Sequence, residues 1–139
     1  MSLSIERYTG NFDDLGSFID RTFEAYAEKN GISCNYRDFC FIAKDGALTA
    51  GLVIGHSYYG SVYISDLIVT EEYRKRGIGT MLMKRVEDEF RGKGMEYISL
   101  TTFAFQAPEF YKKLGYEVEF IRESKNPKLN KYFLIKYDI

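Results

Sequence analysis

The sequence predicts a mixed α/β fold, with strands gathered in one sheet and helices between them. Three observations predict it. Hydrophobic spacing changes along the chain in the order strand, helix, three-strand meander, helix, strand, helix, two strands. Asp45-Gly46 separates two apolar runs and is a strong hairpin signal. An apolar run, Val62 to Val69, passes through the basic stretch Arg74-Lys75-Arg76-Gly77-Ile78-Gly79-Thr80 into a helical pattern. This order is neither the plain alternation of a doubly wound sheet nor an all-β pattern.

Each element has a local reason. Leu3 to Tyr8 alternates, with Leu3 and Ile5 set between polar Ser4 and Glu6, and reads as a first strand. From Phe12 to Lys29, residues Leu15, Phe18, Ile19, Phe23, Tyr26 and Ala27 recur at helical spacing. Asn11 or Asp13 caps the start of that helix and Gly31 closes it. Phe39 to Lys44 and Ala47 to Ser57 form the hairpin, and Tyr59-Gly60-Ser61 turns the chain again. Val62 to Val69 is apolar at both parities, which predicts a central strand covered on both faces. Ile78, Met81, Leu82, Val86 and Phe90 share one side of a helix from Gly77 to Arg91, ended by Gly92 and Gly94. Tyr97 to Thr102 is a strand. Pro108 suits the first turn of a short helix ending at Leu114-Gly115. Tyr116 to Arg122 and Tyr132 to Tyr137 are the last strands, around a loop with Asn126-Pro127.

With 139 residues, residues 1–139 make a single domain with one adequate core. The chain is 45% apolar, so it is globular rather than disordered. A net charge of −1 argues against a general nucleic-acid binder. No run of 18 apolar residues exists, so no membrane span is expected. Met1 to Glu6 lacks the basic start and apolar core of a signal peptide. Cys34 and Cys40 are too few for a disulfide framework, and a cytoplasmic protein with reduced thiols is expected. Cys40, between Phe39 and Phe41, reads as a buried small apolar residue. Cys34, Cys40 and His56 do not have zinc-ligand spacing, and no metal is expected. His56, the one histidine, falls near a strand end and reads as a surface or structural residue.

The basic stretch carries the chemistry. Two glycines, three cations and a helix start describe a phosphate-binding turn. It is not a P-loop, which requires Gly-x-x-x-x-Gly-Lys followed by Ser or Thr. It is not a dinucleotide fingerprint either, because the position of the third glycine is Leu82. What remains is Arg-x-x-Gly-x-Gly: Arg74, Gly77 and Gly79. This resembles the acetyl-CoA signature of the GNAT superfamily of N-acetyltransferases. Gln106-Ala107-Pro108-Glu109-Phe110-Tyr111-Lys112-Lys113-Leu114-Gly115-Tyr116 resembles that family's later motif, through Ala107, Phe110, Tyr111, Gly115 and Tyr116. Two motifs in order, on the right predicted elements, are more specific than either alone. The resemblance covers residues 39–122 strongly, and Thr102 to Ala107 looks like a bacterial branch of single-domain members. One position departs: the family often has Asn three residues before the motif's Ala, and here stands Ala104, with Gln106 as the available substitute.

The resemblance implies a GNAT-like fold, with a central, mostly antiparallel sheet flanked by helices. It implies acetyl-CoA as co-substrate, no metal, and an amine acceptor that is either a small molecule or a protein. Backbone N–H groups from Arg76 through Gly77, Ile78 and Gly79 to Thr80 would grip the pyrophosphate, with Arg74, Lys75 and Arg76 adding charge. Leu67 and Val69 would pair with the pantetheine amides through their backbones, and the Leu67 N–H is a candidate oxyanion donor. Tyr111 occupies the family's general-acid position, with a packing role as its alternative. Asp66 is a candidate base acting through water, a lure for a cationic amine, or merely the partner of a nearby cation or backbone donor. Family members of polyamine type carry a Glu-Asp pair where this chain has Ser65-Asp66. Tyr26, Tyr36, Phe39, Tyr58, Tyr59, Phe103 and Phe105 are candidates for an acceptor pocket, or core. The function expected is acetyl transfer from acetyl-CoA to a primary amine by direct attack. Its alternative is a non-catalytic acyl-CoA-binding module. The family admits homodimers, for which the aromatic-rich C-terminal strands offer a contact.

Overall fold

The computed structural model describes residues 2–139; Met1, the first residue of the signal-peptide reading, lies outside them. The chain divides into two compact units, one ending at Cys34 and one running from Asn35 to Ile139.

In the first unit, Phe12–Leu15 is a 3₁₀ turn that leads into helix α1, Gly16–Lys29. The Asn11 side chain accepts a hydrogen bond from the Asp13 N–H (2.9 Å), so Asn11 caps the turn. Gly31, at φ +70°, lets the chain leave α1, as the sequence predicts. The first strand expected at Leu3 to Tyr8 does not form. Leu3 and Ile5 are exposed, so the alternation there has no apolar surface to cover.

The second unit holds a six-stranded sheet in the order β1-β2-β3-β4-β6-β5. Its strands are β1 Arg37–Asp45, β2 Leu48–Tyr58, β3 Ser61–Val69, β4 Tyr97–Phe103, β5 Glu117–Arg122 and β6 Lys131–Tyr137. Helices α2, Ile78–Phe90, and α3, Pro108–Lys113, connect β3 to β4 and β4 to β5. Among the described residues β3–β4 is the one parallel pairing; the other neighbours are antiparallel. The mixed, mostly antiparallel sheet expected from the resemblance is therefore the observed one.

The core lies between α2, α3 and one face of this sheet. Val53, Val62, Ile98 and Leu134 from the strands meet Met83 and Val86 from α2, all nearly inaccessible. Each such side chain stabilises the fold by about 1.5–3 kcal/mol relative to exposure. Alternation along β1 sends Phe39, Phe41 and Ala43 to this core, so Cys40 points to the other face. Cys40 is exposed, against the expectation of burial, and both cysteines are free thiols. Lys136 of β6 ties three elements: its Nζ donates to Glu87 Oε1 of α2 at 2.6 Å and to the Leu114 carbonyl, just past α3, at 2.8 Å.

Candidate acetyl-carrier site

The site begins with an irregularity in β3. Register runs Gly55↔Ile64 and then Ile54↔Asp66, so Ser65 is an extra residue without a partner on β2. Its hydroxyl donates to the Ile54 carbonyl at 3.1 Å. The bulge shifts the side-chain parity by one. Val62 and Ile64 enter the core before it; Leu67 and Val69 pack against the core after it. The double-parity apolar pattern thus marks a bulge rather than a strand covered on both faces. Only the first half of β3 is fully covered, and Ser65, Asp66 and Ile68 are exposed.

The same register orients the backbone. The Thr70 N–H donates to the Ala50 carbonyl at 2.9 Å. In an antiparallel ladder alternate residues turn their N–H and C=O groups toward the partner strand. Ile68 therefore faces β2, and Leu67 and Val69 face β4. Yet β3 pairs with β4 only at Val62↔Ile98 and Tyr63↔Ser99. Beyond that point the strands diverge, and the polar groups of Leu67 and Val69 look into a gap with no strand to meet them. One is engaged: the Val69 carbonyl accepts from Arg74 Nε at 3.1 Å.

The gap leads to the start of α2. Gly77 caps the helix at φ +78°, a left-handed conformation that costs other residues energy. The helix's first bond joins the Met81 N–H to the Gly77 carbonyl (3.0 Å). No side chain caps this end, so the N–H groups of Ile78, Gly79 and Thr80 keep no intrahelical partner. Three orphan donors and a positive dipole end suit an anion. Lys75, at φ +61°, and Arg76 are exposed beside them. Gly79 has a further reason to be glycine: a Cβ there would lie 3.2 Å from the ring of Phe110, so it sets how closely α3 approaches α2.

Tyr111 projects from α3 into the core and is only 8% exposed. Its ring lies 5.0 Å from Phe110 and 6.0 Å from Tyr116, edge-on to both. Burial pushes its pKa up to about 12, so the phenol holds its proton at any physiological pH. The hydroxyl makes no hydrogen bond among the described residues, which leaves it free to donate. Tyr116 differs: its hydroxyl is wholly buried with no partner among the described residues, and its pKa is raised by burial and then by Glu87 and Tyr111.

Asp66 is exposed, next to Leu67, and its carboxylate has no hydrogen bond or ion pair among the described residues. The reading of Asp66 as a neighbour's ion-pair partner therefore finds no partner here. Gln106 has its amide oxygen committed, accepting from the Phe103 N–H (2.9 Å) and Thr102 Oγ1 (3.3 Å). His56 lies near the end of β2, stacked on Tyr36 at 5.1 Å with Tyr58 edge-on at 4.8 Å. Phe39 is core, edge-on to Phe90. Phe103 and Phe105 stack at 6.0 Å at the end of β4, and Tyr26 is exposed on α1.

Sequence reasoning missed one residue. Tyr73, in the 3₁₀ turn Glu71–Tyr73, donates from its hydroxyl to Asp45 Oδ2 at 2.6 Å. The available signal was its position immediately before Arg74.

The family model described as "Acetyltransferase (GNAT) family" matches residues 6–116. The chain belongs to the GNAT acetyltransferase family. The chain is also similar to blasticidin-S acetyltransferase of Streptomyces morookaense, 32% identical over 92 residues, 66% of this chain and 67% of that one. A crystal structure of an acetyltransferase from Bacillus cereus superposes with a TM-score of 0.76 at 26% identity, covering 96% of this chain and 98% of that chain. A Bacillus anthracis chain solved in complex with acetyl coenzyme A shares the fold, with a TM-score of 0.64 at 19% identity over 73% and 62%. As a GNAT enzyme the protein is an acetyl-CoA-dependent N-acetyltransferase, so the acetyl carrier is its co-substrate. Among the described residues no helix is long and apolar enough to cross a membrane.

Proposed function

We propose that the protein transfers the acetyl group of acetyl-CoA to a primary amine of a small molecule or protein by direct attack. One observation carries this reading: a strand edge that lacks a β4 partner at Leu67 and Val69 runs toward an uncapped helix N-terminus behind Gly77. That track offers peptide-like pairing for an amide-bearing arm and then N–H groups for a diphosphate. The exposed Arg74, Lys75 and Arg76 supply the counter-charge.

The roles follow from the groups. The Leu67 N–H donates to the oxygen that gains charge as the amine adds. Tyr111, protonated throughout the neutral range as any phenol is, gives its proton to the departing thiolate. Asp66 draws in the cationic amine and, through water, takes its proton so that the lone pair is free. The family match runs through both compact units, which supports reading residues 1–139 as one N-acetyltransferase domain. Free thiols at Cys34 and Cys40 support a reducing compartment, the cytoplasm. The fully exposed β5, with Phe120, is where we place a homodimer contact.

The test is thiol release from acetyl-CoA against a panel of amines led by blasticidin S, the acceptor in the name of the Streptomyces relative. Amine-dependent release supports the reading. Binding of acetyl-CoA with no release for any amine would instead favour an acyl-CoA-binding module.

A further inference from the structure

The stretch between β3 and α2 must hold three cations in a fixed arrangement, yet it is exposed and contains a non-glycine residue, Lys75, at φ +61°. Such a turn persists only where its surroundings hold it. Two side chains do so. Arg74 folds back, its Nε on the Val69 carbonyl at 3.1 Å. Tyr73 reaches across 28 residues of sequence to Asp45, at the tip of the β1–β2 hairpin, at 2.6 Å. The Tyr73 N–H also bonds the Thr70 carbonyl (2.9 Å), and Thr70 is tied in turn to Ala50 of β2. The aromatic face of Tyr73 carries a load as well: the Arg76 guanidinium lies 5.2 Å from its ring centroid. Donation to the carboxylate raises the Tyr73 pKa, so the bond is kept through the neutral range.

We propose that Tyr73 is a positioning residue for the acetyl carrier: anchored to Asp45 by its hydroxyl, it holds Arg76 against its ring beside the diphosphate-binding end of α2. This rests on the reading of that helix end as the diphosphate site. The β1–β2 hairpin, remote in sequence from either family motif, thereby takes part in carrier binding. Its Asp45 does two jobs, turning the chain with Gly46 and ending the tether.

The test compares wild type with Tyr73→Phe, Asp45→Ala and Asp45→Asn. Affinity is read by calorimetry for CoA and by ligand-observed NMR for pantetheine, which lacks the diphosphate. Tyr73→Phe keeps the ring under Arg76 and removes only the tether. We expect Tyr73→Phe and Asp45→Ala each to weaken CoA by about 5–20-fold, as for one charge-assisted contact, with pantetheine unchanged. The double variant should be no weaker than either single one, because both cut the same bond. Asp45→Asn, which keeps an acceptor oxygen, should restore most of the affinity. Unchanged CoA affinity in Tyr73→Phe, or equal losses for CoA and pantetheine, would overturn the proposal. A wild type that binds pantetheine but gains nothing from the diphosphate of CoA would overturn the helix-end reading itself, and this proposal with it.

Discussion

Replacing Tyr111 by Phe separates packing from the proposed chemistry, because the ring packs and the acid role falls to the hydroxyl. The ring is 8% exposed and sits in the core cluster, so Phe retains nearly all its contacts. The hydroxyl has no hydrogen-bond partner among the described residues, so its loss orphans nothing. Stability should then change by less than about 1 kcal/mol. For 139 residues, an unfolding entropy of about 2.1 cal/mol/K per residue makes that a shift of less than about 4 °C in Tm. Turnover should respond differently. General-acid groups contribute about 10²–10⁴-fold, or about 3–5 kcal/mol of barrier. The assay is acetyl-CoA-dependent thiol release with the best acceptor of the amine panel, alongside thermal melting and CoA calorimetry. The expected pattern is kcat down by about 100-fold or more, with Tm and CoA affinity unchanged. Loss of activity that scales with loss of Tm would mean a packing role. Turnover within about two-fold of wild type from about pH 6 to 10, where the buried phenol stays protonated, would refute the reasoning outright.

Other outcomes follow from the same geometry. Gly77→Ala places a side chain at φ +78°, which should cost about 1–2 kcal/mol and weaken CoA more than Gly77→Asn, since Asn tolerates that conformation; chemical denaturation and calorimetry check both. Asp66→Asn should leave Tm unchanged, because its carboxylate has no partner among the described residues, and lower kcat/KM for cationic amines by about 10-fold or more; normal kinetics would dismiss the role. Glu87→Ala strips the half-buried Lys136 ammonium of its carboxylate and should destabilise by about 1–3 kcal/mol in urea unfolding. Alkaline stability follows from Tyr111. Its pKa is about 12 folded against 10.0 as a model phenol, so its contribution is complete below pH 10 and is lost as the unfolded chain ionises above it. By pH 12 the loss from this residue reaches about 2 kcal/mol, visible as a falling urea midpoint.

The legible parts of the fold were those with strong local chemistry. Asp45-Gly46, the glycines after α2 and Pro108 at the start of α3 each satisfy a backbone need within a few residues, and their elements appear within a residue or two of the expected bounds. Failures came where a partner surface decides. Leu3 to Tyr8 has a strand's alternation but finds no pairing, and Cys40 is exposed although its neighbours are core phenylalanines. In β3 the pattern was visible and its meaning was not: apolar residues at both parities describe either a doubly covered strand or a bulge.

By itself the sequence determined the family, the glycine turn before α2 and the order of elements from α1 onward, because these depend on residues close together in the chain. Gly77 needs only its own φ, and a helix start needs only its own N–H groups. Tertiary structure alone decided that β3 and β4 part after Tyr63 and Ser99, which leaves Leu67 and Val69 without a partner on β4. It also decided that Tyr73 meets Asp45, that Gly79 is small for Phe110, and that the Tyr111 proton is locked in place by burial. Each of these is a distance or a solvent exposure between segments far apart in sequence, and pairing, close approach and desolvation exist only once those segments have met.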